Sequence, residues 1–267
     1  MGHACEPGRP PAGFLARALE ASLARERALR SGAPAAPSLR GAVERVVKSE
    51  ARPALIIEYK RCRPSGFVRH IDPWSYVDAV GGAADAWSVL VEPFWFCGSP
   101  ELLPLFASTG KPVLAKDFAA GREQLRTYRR MGASAVLLIL DMLGWRRLEE
   151  LYEEARGLGL EALIETTDWR CAVEAMNSFP GALVGINARN LETLEVSFER
   201  LLEEVRRASS EKPSGGLLVA ESSVDSVEKA RRLAEAGADA LLIGTWAMKA
   251  PEEVGRLPAA LRGTREK

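Results

Sequence analysis

Acid, base and hydroxyl side chains recur in this chain at one kind of place, directly after a short apolar run. Glu58 and Lys60 follow Ala54–Ile57, Glu92 follows Ala86–Val91, and Lys116 and Asp117 follow Pro112–Ala115. Glu165 comes after Ala162–Ile164, and Asn187, Arg189 and Asn190 come after Ala182–Ile186. Glu221, Ser222 and Ser223 close Leu217–Ala220, while Gly244 and Thr245 close Ala240–Ile243. Carboxylates paired with lysines suit acid–base work on a substrate carbonyl or hydroxyl. The small and hydroxyl residues of the last two groups suit a phosphate. Backbone N–H groups can approach it there, and a following helix N-terminus adds a favourable dipole.

Two of these places carry more than a charge. ALIIEYKRCRPSG (54–66) runs from four apolar residues into one acid and three bases, then breaks at Pro64 and Gly66. That is how a buried strand looks when its end reaches a site. EPFWFCGS (92–99) sets Phe94, Trp95 and Phe96 side by side at a strand end. The three rings are either core filling beneath a loop or the wall of a pocket for an aromatic ligand.

The elements that must position these groups follow from periodicity. The apolar, β-branched runs at Ala54–Tyr59, Ala86–Val91, Pro112–Ala115, Ala135–Leu140, Ala162–Ile164, Ala182–Ile186, Leu217–Ala220 and Ala240–Ile243 read as strands. Between them lie helical patterns, several ending in a glycine just before the next strand, as at Gly132, Gly159 and Gly237. Eight strands alternating with helices predict an α/β chain folded as a (β/α)8 TIM barrel, whose strand ends converge on one mouth. An open doubly wound sheet is the rival, but no GxGxxG follows an early strand. Two short amphipathic helices, from Phe14 and from Leu39 to Lys48, precede the first strand. They predict an N-terminal extension, residues 1–50, lying as a lid or plug over an end of the barrel of residues 51–267, with one structural domain overall. Residues 1–13, rich in Gly and Pro, are expected to be poorly ordered.

Bulk properties narrow the class. With 36 basic and 36 acidic residues, the whole-molecule field gives no argument for nucleic acid or membrane binding, so any anion site is local. No apolar run is long enough to span a bilayer, and the N-terminus lacks the apolar core of a signal peptide, which predicts a cytoplasmic protein. The two histidines, His3 and His70, and the four cysteines, Cys5, Cys62, Cys97 and Cys171, form no zinc-like spacing. The cysteines are expected as free thiols in a reducing cytosol, with a disulfide left open. Neither a metal nor a cofactor is expected.

Seven stretches then carry a resemblance, in order along residues 50 to 250: EYKR-x-x-PSG at 58–66, EPFWFCGS at 92–99, PVLAKDF at 112–118, ALIETTD at 162–168, GINARNL at 185–191, VAESS at 219–223 and LLIGT at 241–245. They resemble the indole-3-glycerol phosphate synthase family of tryptophan biosynthesis. The resemblance implies a carboxy-lyase that closes the indole ring of 1-(2-carboxyphenylamino)-1-deoxyribulose 5-phosphate, releasing CO₂ and water. By motif position it implies Lys116 as general acid, Glu165 assisting and orienting it, and Glu58 and Lys60 in the dehydration. Asn187, Glu221, Ser222, Arg189 and Ser65 would serve the substrate-binding pocket, with Phe96 and Phe118 packing on the anthranilate ring. Lys60, Ser223, Gly244 and Thr245 would hold the phosphate. The expected partner is a phosphorylated small molecule. The assembly would be a monomer or weak homodimer, with contact to other tryptophan-pathway enzymes left open.

The chain departs from the family pattern at several positions. Ser-Pro-Ser becomes Arg63-Pro64-Ser65, Glu-Ser-Gly becomes Glu221-Ser222-Ser223, and Gly-Ser becomes Gly244-Thr245. Asp141 stands where small or apolar residues are common. Arg63 is therefore expected to help hold the substrate's phosphate or carboxylate and to offset a poorer amide nest at Ser223. The alternatives are another phosphate-binding barrel enzyme, such as phosphoribosylanthranilate isomerase, and a catalytically weakened metabolite-binding barrel.

Overall fold

The computed structural model describes residues 14–31, 36–64, 66, 68–189 and 196–265. Ser65 and Asn190, and the Gly/Pro-rich segment before Phe14, lie outside the described residues. Two helices come first, α1 (Phe14–Ser31) and α2 (Leu39–Glu50). The barrel then starts with β1 (Ala54–Tyr59), α3 (Pro73–Val80) and β2 (Ala86–Leu90). A 3₁₀ turn (Pro100–Leu102) leads into α4 (Leu103–Ala107), followed by β3 (Val113–Lys116) and α5 (Arg122–Arg130). Next come β4 (Ala135–Ile139), α6 (Leu140–Gly157), β5 (Glu161–Thr166), α7 (Trp169–Ser178) and β6 (Leu183–Asn187). The second half closes with α8 (Phe198–Glu211), β7 (Leu217–Glu221), α9 (Val227–Glu235), β8 (Ala240–Ile243), α10 (Thr245–Lys249), α11 (Pro251–Gly255) and α12 (Leu257–Leu261).

Every strand pairs parallel with the next and β8 returns to β1, so the sheet is a closed barrel. Side chains alternate across each strand, and this alternation sorts the apolar residues into two cores. Ala54, Ile56, Leu114, Leu137, Leu163, Leu183, Val219 and Leu242 fill the barrel interior. Leu55, Ile57, Tyr59, Val113, Val136, Ile164, Val184 and Leu218 face the surrounding helices. Tyr59 accordingly points away from the mouth and packs with Tyr76 and Phe106, ring centroids 5.3 Å away in each case.

Local chemistry starts and stops the helices. Asp72 accepts hydrogen bonds from the Trp74 and Ser75 N–H groups just before Pro73 opens α3, and Asp168 and Ser226 cap α7 and α9 in the same way. Gly132, Gly159 and Gly237 all have positive φ, as expected of caps that turn the chain into the next strand.

The extension divides into two roles. Leu39, Val43 and Val46 of α2 are buried against the inner barrel core, so α2 plugs the end opposite the strands' C-termini. Each side chain of that size stabilises by roughly 1.5–3 kcal/mol when fully buried. The plug is pinned by Glu161 at the start of β5, which accepts from Ser38 Oγ at 2.5 Å and from the Arg40 N–H at 2.9 Å. Helix α1 instead lies along the flank, against α4 and α5.

Most strand boundaries shift by one or two residues from those expected, and only β1 and β8 keep both ends. The fourth strand ends at Ile139 rather than Leu140, because α6 begins at once and then bends at Gly144 (φ 65°). The fifth runs from Glu161 to Thr166, longer than expected at both ends. Its polar residues are in ladder register, which apolarity alone does not reveal.

Candidate active site at the barrel mouth

Inward parity brings the acids and bases together. Glu58 follows Ala54 and Ile56 on the inner face of β1, and Lys60 continues it one step beyond the strand. Lys116 follows Leu114, Glu165 follows Leu163, and Glu221 follows Leu217 and Val219, always two residues on. These groups therefore form the layer directly above the apolar interior, where a one-residue slip in any strand would turn its charge outward. Above them opens a cavity of about 1200 Å³.

At its floor Lys116 Nζ donates to Glu221 Oε2 at 2.5 Å and to Glu165 Oε2 at 3.4 Å. Burial disfavours the ammonium, but Glu221, Glu165 and Glu58 together hold the Lys116 pKa above the ordinary lysine range, so Lys116 is charged. Glu221 is completely buried. Burial, with the Glu165 carboxylate beside it, pushes its pKa up to about 8 in spite of Lys116. One Glu221 oxygen faces Lys116. The other, Oε1, is buried without a hydrogen-bond partner and lies against the Cα of Gly185, where a Cβ would collide with it.

A second pair lies beside the first. Lys60 Nζ donates to Glu58 Oε1 at 2.8 Å. Burial opposes ionisation of Glu58, yet Lys60 and Lys116 bring its pKa below the usual carboxylate value. Gly244 stands against this pair, since a Cβ there would run into the Glu58 carboxylate and the Lys60 ammonium. A glycine at this position thus makes room for the acid–base pair.

The remaining predicted residues that are described ring the same cavity. Phe96 and Phe118 line it with centroids 6.2 Å apart, and Arg63, Asn187 and Arg189 contribute polar wall. Ser222, Ser223, Gly244 and Thr245 line the side formed by β7 and β8. Ser222 Oγ donates to Asn187 Oδ1 at 2.8 Å, and the same oxygen accepts from the Arg189 N–H at 2.9 Å. Burial and the nearby Arg63 guanidinium lower the Arg189 pKa, so the two cations face a common space. Helix α9 starts at Val227, not at Ser223, and Ser222 and Ser223 instead form a turn with φ of 66° and 57°. The turn offers its backbone to the cavity without a helix behind it. At β8 the expectation holds more directly, because α10 starts at Thr245.

The aromatic loop resolves residue by residue. Trp95 and Phe96 line the cavity, whereas Phe94 is turned out to solvent at 87% exposure. Three strand-end acids brace the site. Glu92 accepts from the N–H groups of Phe94, Trp95 and Phe96 at 2.8, 2.6 and 3.0 Å. Asp117 accepts from the Tyr128 hydroxyl. Asp141 ties β4 to β5 by accepting from Thr166 Oγ1 at 2.9 Å and from Thr167 N–H at 3.1 Å, which gives its unusual charge a local cause.

Sequence reasoning missed Gly185, although a glycine inside a strand often marks a close approach. It also expected free thiols, and this is corrected: Cys62 and Cys97 form a disulfide, while Cys171 is free. The two partners meet only once β1 and β2 are paired, so their spacing along the chain carries no sign of it. Among the described residues no group of three or more His, Cys, Asp or Glu could hold a metal ion, and no helix is long and apolar enough to cross a membrane.

Comparison with known proteins bears on this arrangement. The family model described as indole-3-glycerol phosphate synthase matches residues 16–257. A protein of that name from Aeropyrum pernix is 48% identical over 220 residues, covering 82% of this chain and 84% of its own. Another, from Sulfurisphaera tokodaii, is 39% identical over 207 residues, covering 76% and 82%. Among solved structures, a mutant tryptophan synthase alpha-subunit from Pyrococcus furiosus superposes with a TM-score of 0.58 at 16% identity, over 79% of this chain and 96% of that one. At that identity the likeness speaks for the barrel alone.

Proposed function

The chain belongs to the indole-3-glycerol phosphate synthase family, and from that premise we propose how its mouth performs the family's ring closure on 1-(2-carboxyphenylamino)-1-deoxyribulose 5-phosphate. Lys116 is the general acid. It gives a proton to the substrate carbonyl oxygen as the ring carbon bearing the carboxylate attacks the carbonyl carbon, and loss of CO₂ restores the aromatic ring. Glu165, 3.4 Å away, assists the transfer and orients Lys116, whose lost proton is replaced from solvent, the one net proton that decarboxylation takes up. Glu221 acts through Lys116. One of its oxygens holds the ammonium and the other is turned away from the cavity, so it is a positioning residue for the acid.

Dehydration falls to the neighbouring pair. Removing the new hydroxyl as water needs a proton on the leaving oxygen and loss of one from the ring-closing carbon–nitrogen unit. Lys60 and Glu58, already hydrogen-bonded, supply a donor and an acceptor for these two transfers. Phe96 and Phe118 pack against the aromatic ring, Asn187 and Arg189 hold the polar middle, and Ser65 is assigned to the same pocket by its motif position. Lys60, Ser223, Gly244 and Thr245 take the phosphate. The reading carries with it a phosphorylated small-molecule substrate and a cytoplasmic setting.

The observation that supports this most is Lys116 held as an ammonium between two carboxylates at the floor of the mouth, on the inner face of three different strands. The test is to supply the ribulose phosphate substrate and follow indole fluorescence for wild type and Lys116→Ala. Product from the wild type and none from the variant is expected. No product from the wild type rejects the assignment.

A further inference from the structure

The two loops that bring Arg63 and Phe96 to the cavity are joined by a covalent bond that the proposed reaction does not use. Cys62, at the start of the β1–α3 loop, is disulfide-bonded to Cys97, which lies in the loop after β2, 35 residues along the chain and 5.6 Å away between Cα atoms. Each cysteine is the immediate neighbour of a side chain that lines the cavity, Arg63 after Cys62 and Phe96 before Cys97. Two hydrogen bonds flank the bond. The Cys62 N–H donates to the Phe96 carbonyl at 3.3 Å, and Arg61 Nε donates to the Cys97 carbonyl at 2.7 Å.

The two loops differ in what holds them. The aromatic loop is fixed from within, because Glu92 gathers three of its N–H groups and Gly98 sits so close to the carbonyls of Leu90 and Glu92 that no Cβ would fit. Among the described residues the β1–α3 loop is held mainly at its far end, where Arg69 Nη1 donates to the Lys249 carbonyl at 2.9 Å and the Tyr59 hydroxyl to the Ile71 carbonyl at 2.7 Å. Nearer Cys62, the Gly66 N–H donates to the Arg63 carbonyl at 3.1 Å, Cys62 and Val68 make an isolated antiparallel bridge, the Arg69 N–H donates to the Arg61 carbonyl at 2.8 Å, and Val68, Arg69 and His70 are exposed. The fixed loop is therefore the anchor and the other is the one that gains from being tied.

Resting on the function proposed above, we infer that the Cys62–Cys97 disulfide is a positioning element for the side of the substrate pocket that Arg63 and Phe96 line. It fixes the near arm of the β1–α3 loop to the aromatic loop, so Arg63 and Phe96 keep their spacing before substrate arrives. The arm cannot swing out as a free flap. Ordering of loops on binding is a cost that preorganisation removes, so the benefit falls on substrate capture and not on the chemical step.

The experiment compares wild type as isolated, the same protein treated with a dithiol, and C62S/C97S. The dithiol supplies two electrons, breaks the S–S bond and leaves two thiols. Titration in denaturant should find two reactive thiols before reduction, since two of the four cysteines are paired, and four after it. Well below the unfolding midpoint, both opened forms should show KM for the ribulose phosphate raised about three- to tenfold, with kcat within about twofold. Amide exchange should quicken in 61–64 and leave β3 and β7 unchanged. An unchanged KM overturns the inference, as does kcat falling in step with catalytic efficiency, or four reactive thiols in the unreduced protein. Failure of the parent reading would be separate, because oxidised wild type would then make no indole product at all.

Discussion

The ammonium of Lys116 on β3 donates to Glu221 Oε2 on β7 across 2.5 Å, reaching over the barrel to a carboxylate that is itself completely buried. The contact places the proposed acid's closest partner on the opposite wall. It also creates an electrostatic asymmetry, since one lysine stands between two carboxylates that repel each other. Burial and the neighbouring Glu165 both act against a second negative charge there, and they raise the Glu221 pKa to about 8 in spite of Lys116.

Replacing Lys116 tests the acid directly. Lys116→Ala is expected to lower kcat by about 10²- to 10⁴-fold, the usual contribution of a positioned proton donor, with a much smaller change in KM. Steady-state indole fluorescence together with a circular dichroism spectrum separates lost chemistry from lost fold. A kcat within tenfold of wild type would remove Lys116 from the acid role.

The raised Glu221 pKa predicts a pH dependence with a definite sign. The folded protein keeps a proton on Glu221 up to about pH 8, while the unfolded chain releases it near the ordinary carboxylate value. Between those limits the native state binds more protons than the unfolded state, so this group's share of stability is full below that ordinary value and is lost as pH rises towards 8. Urea midpoints measured from pH 5 to 9 should fall less steeply for Glu221→Gln than for wild type. Parallel curves would show that Glu221 is ionised throughout.

Gly185 is expected to be intolerant of the smallest addition. A Cβ there occupies the place of Glu221 Oε1, and the two residues lie on adjacent buried strands, β6 and β7, paired in register. Gly185→Ala should cost about 1–3 kcal/mol by overpacking and lower kcat by displacing the Lys116 partner. Combining it with Glu221→Ala should cost less than the two single changes summed, because the collision disappears. Simple additivity in chemical denaturation would mean that the two residues do not meet.

How far the sequence disclosed this follows from what each feature depends on. The barrel was legible because apolar runs and glycine caps are local properties, and the active layer was legible because strand ends must converge when a barrel closes. Among the strand-end acids Glu92 and Asp117 looked like site groups and are braces, since charge at a strand end does not say whether its partner is a substrate or one of the protein's own donors. The Cys62–Cys97 bond and the Gly185–Glu221 contact were hidden for one reason. Each joins residues 35 or more apart, and the closeness exists only after adjacent strands have paired in register.

The last prediction concerns Ser223, where the family pattern has glycine. Ser222 and Ser223 both adopt left-handed backbone angles, with φ of 66° and 57°. A non-glycine residue there costs roughly 1–2 kcal/mol. Glycine would remove that strain but add about 0.5–1 kcal/mol of unfolded-chain entropy, so Ser223→Gly should stabilise by about 1 kcal/mol or less. Affinity should respond more clearly than stability. Without the Cβ the turn beside the cavity can approach an anion more closely, and binding of inorganic phosphate, read by inhibition of the reaction, should tighten. Arg63→Ala should act the other way if the Arg63 guanidinium on the cavity wall offsets the poorer turn. In the double variant the phosphate constant should return towards that of wild type. Inhibition by phosphate that is unchanged in Arg63→Ala, with weaker inhibition by anthranilate, would assign Arg63 to the carboxylate of the substrate instead.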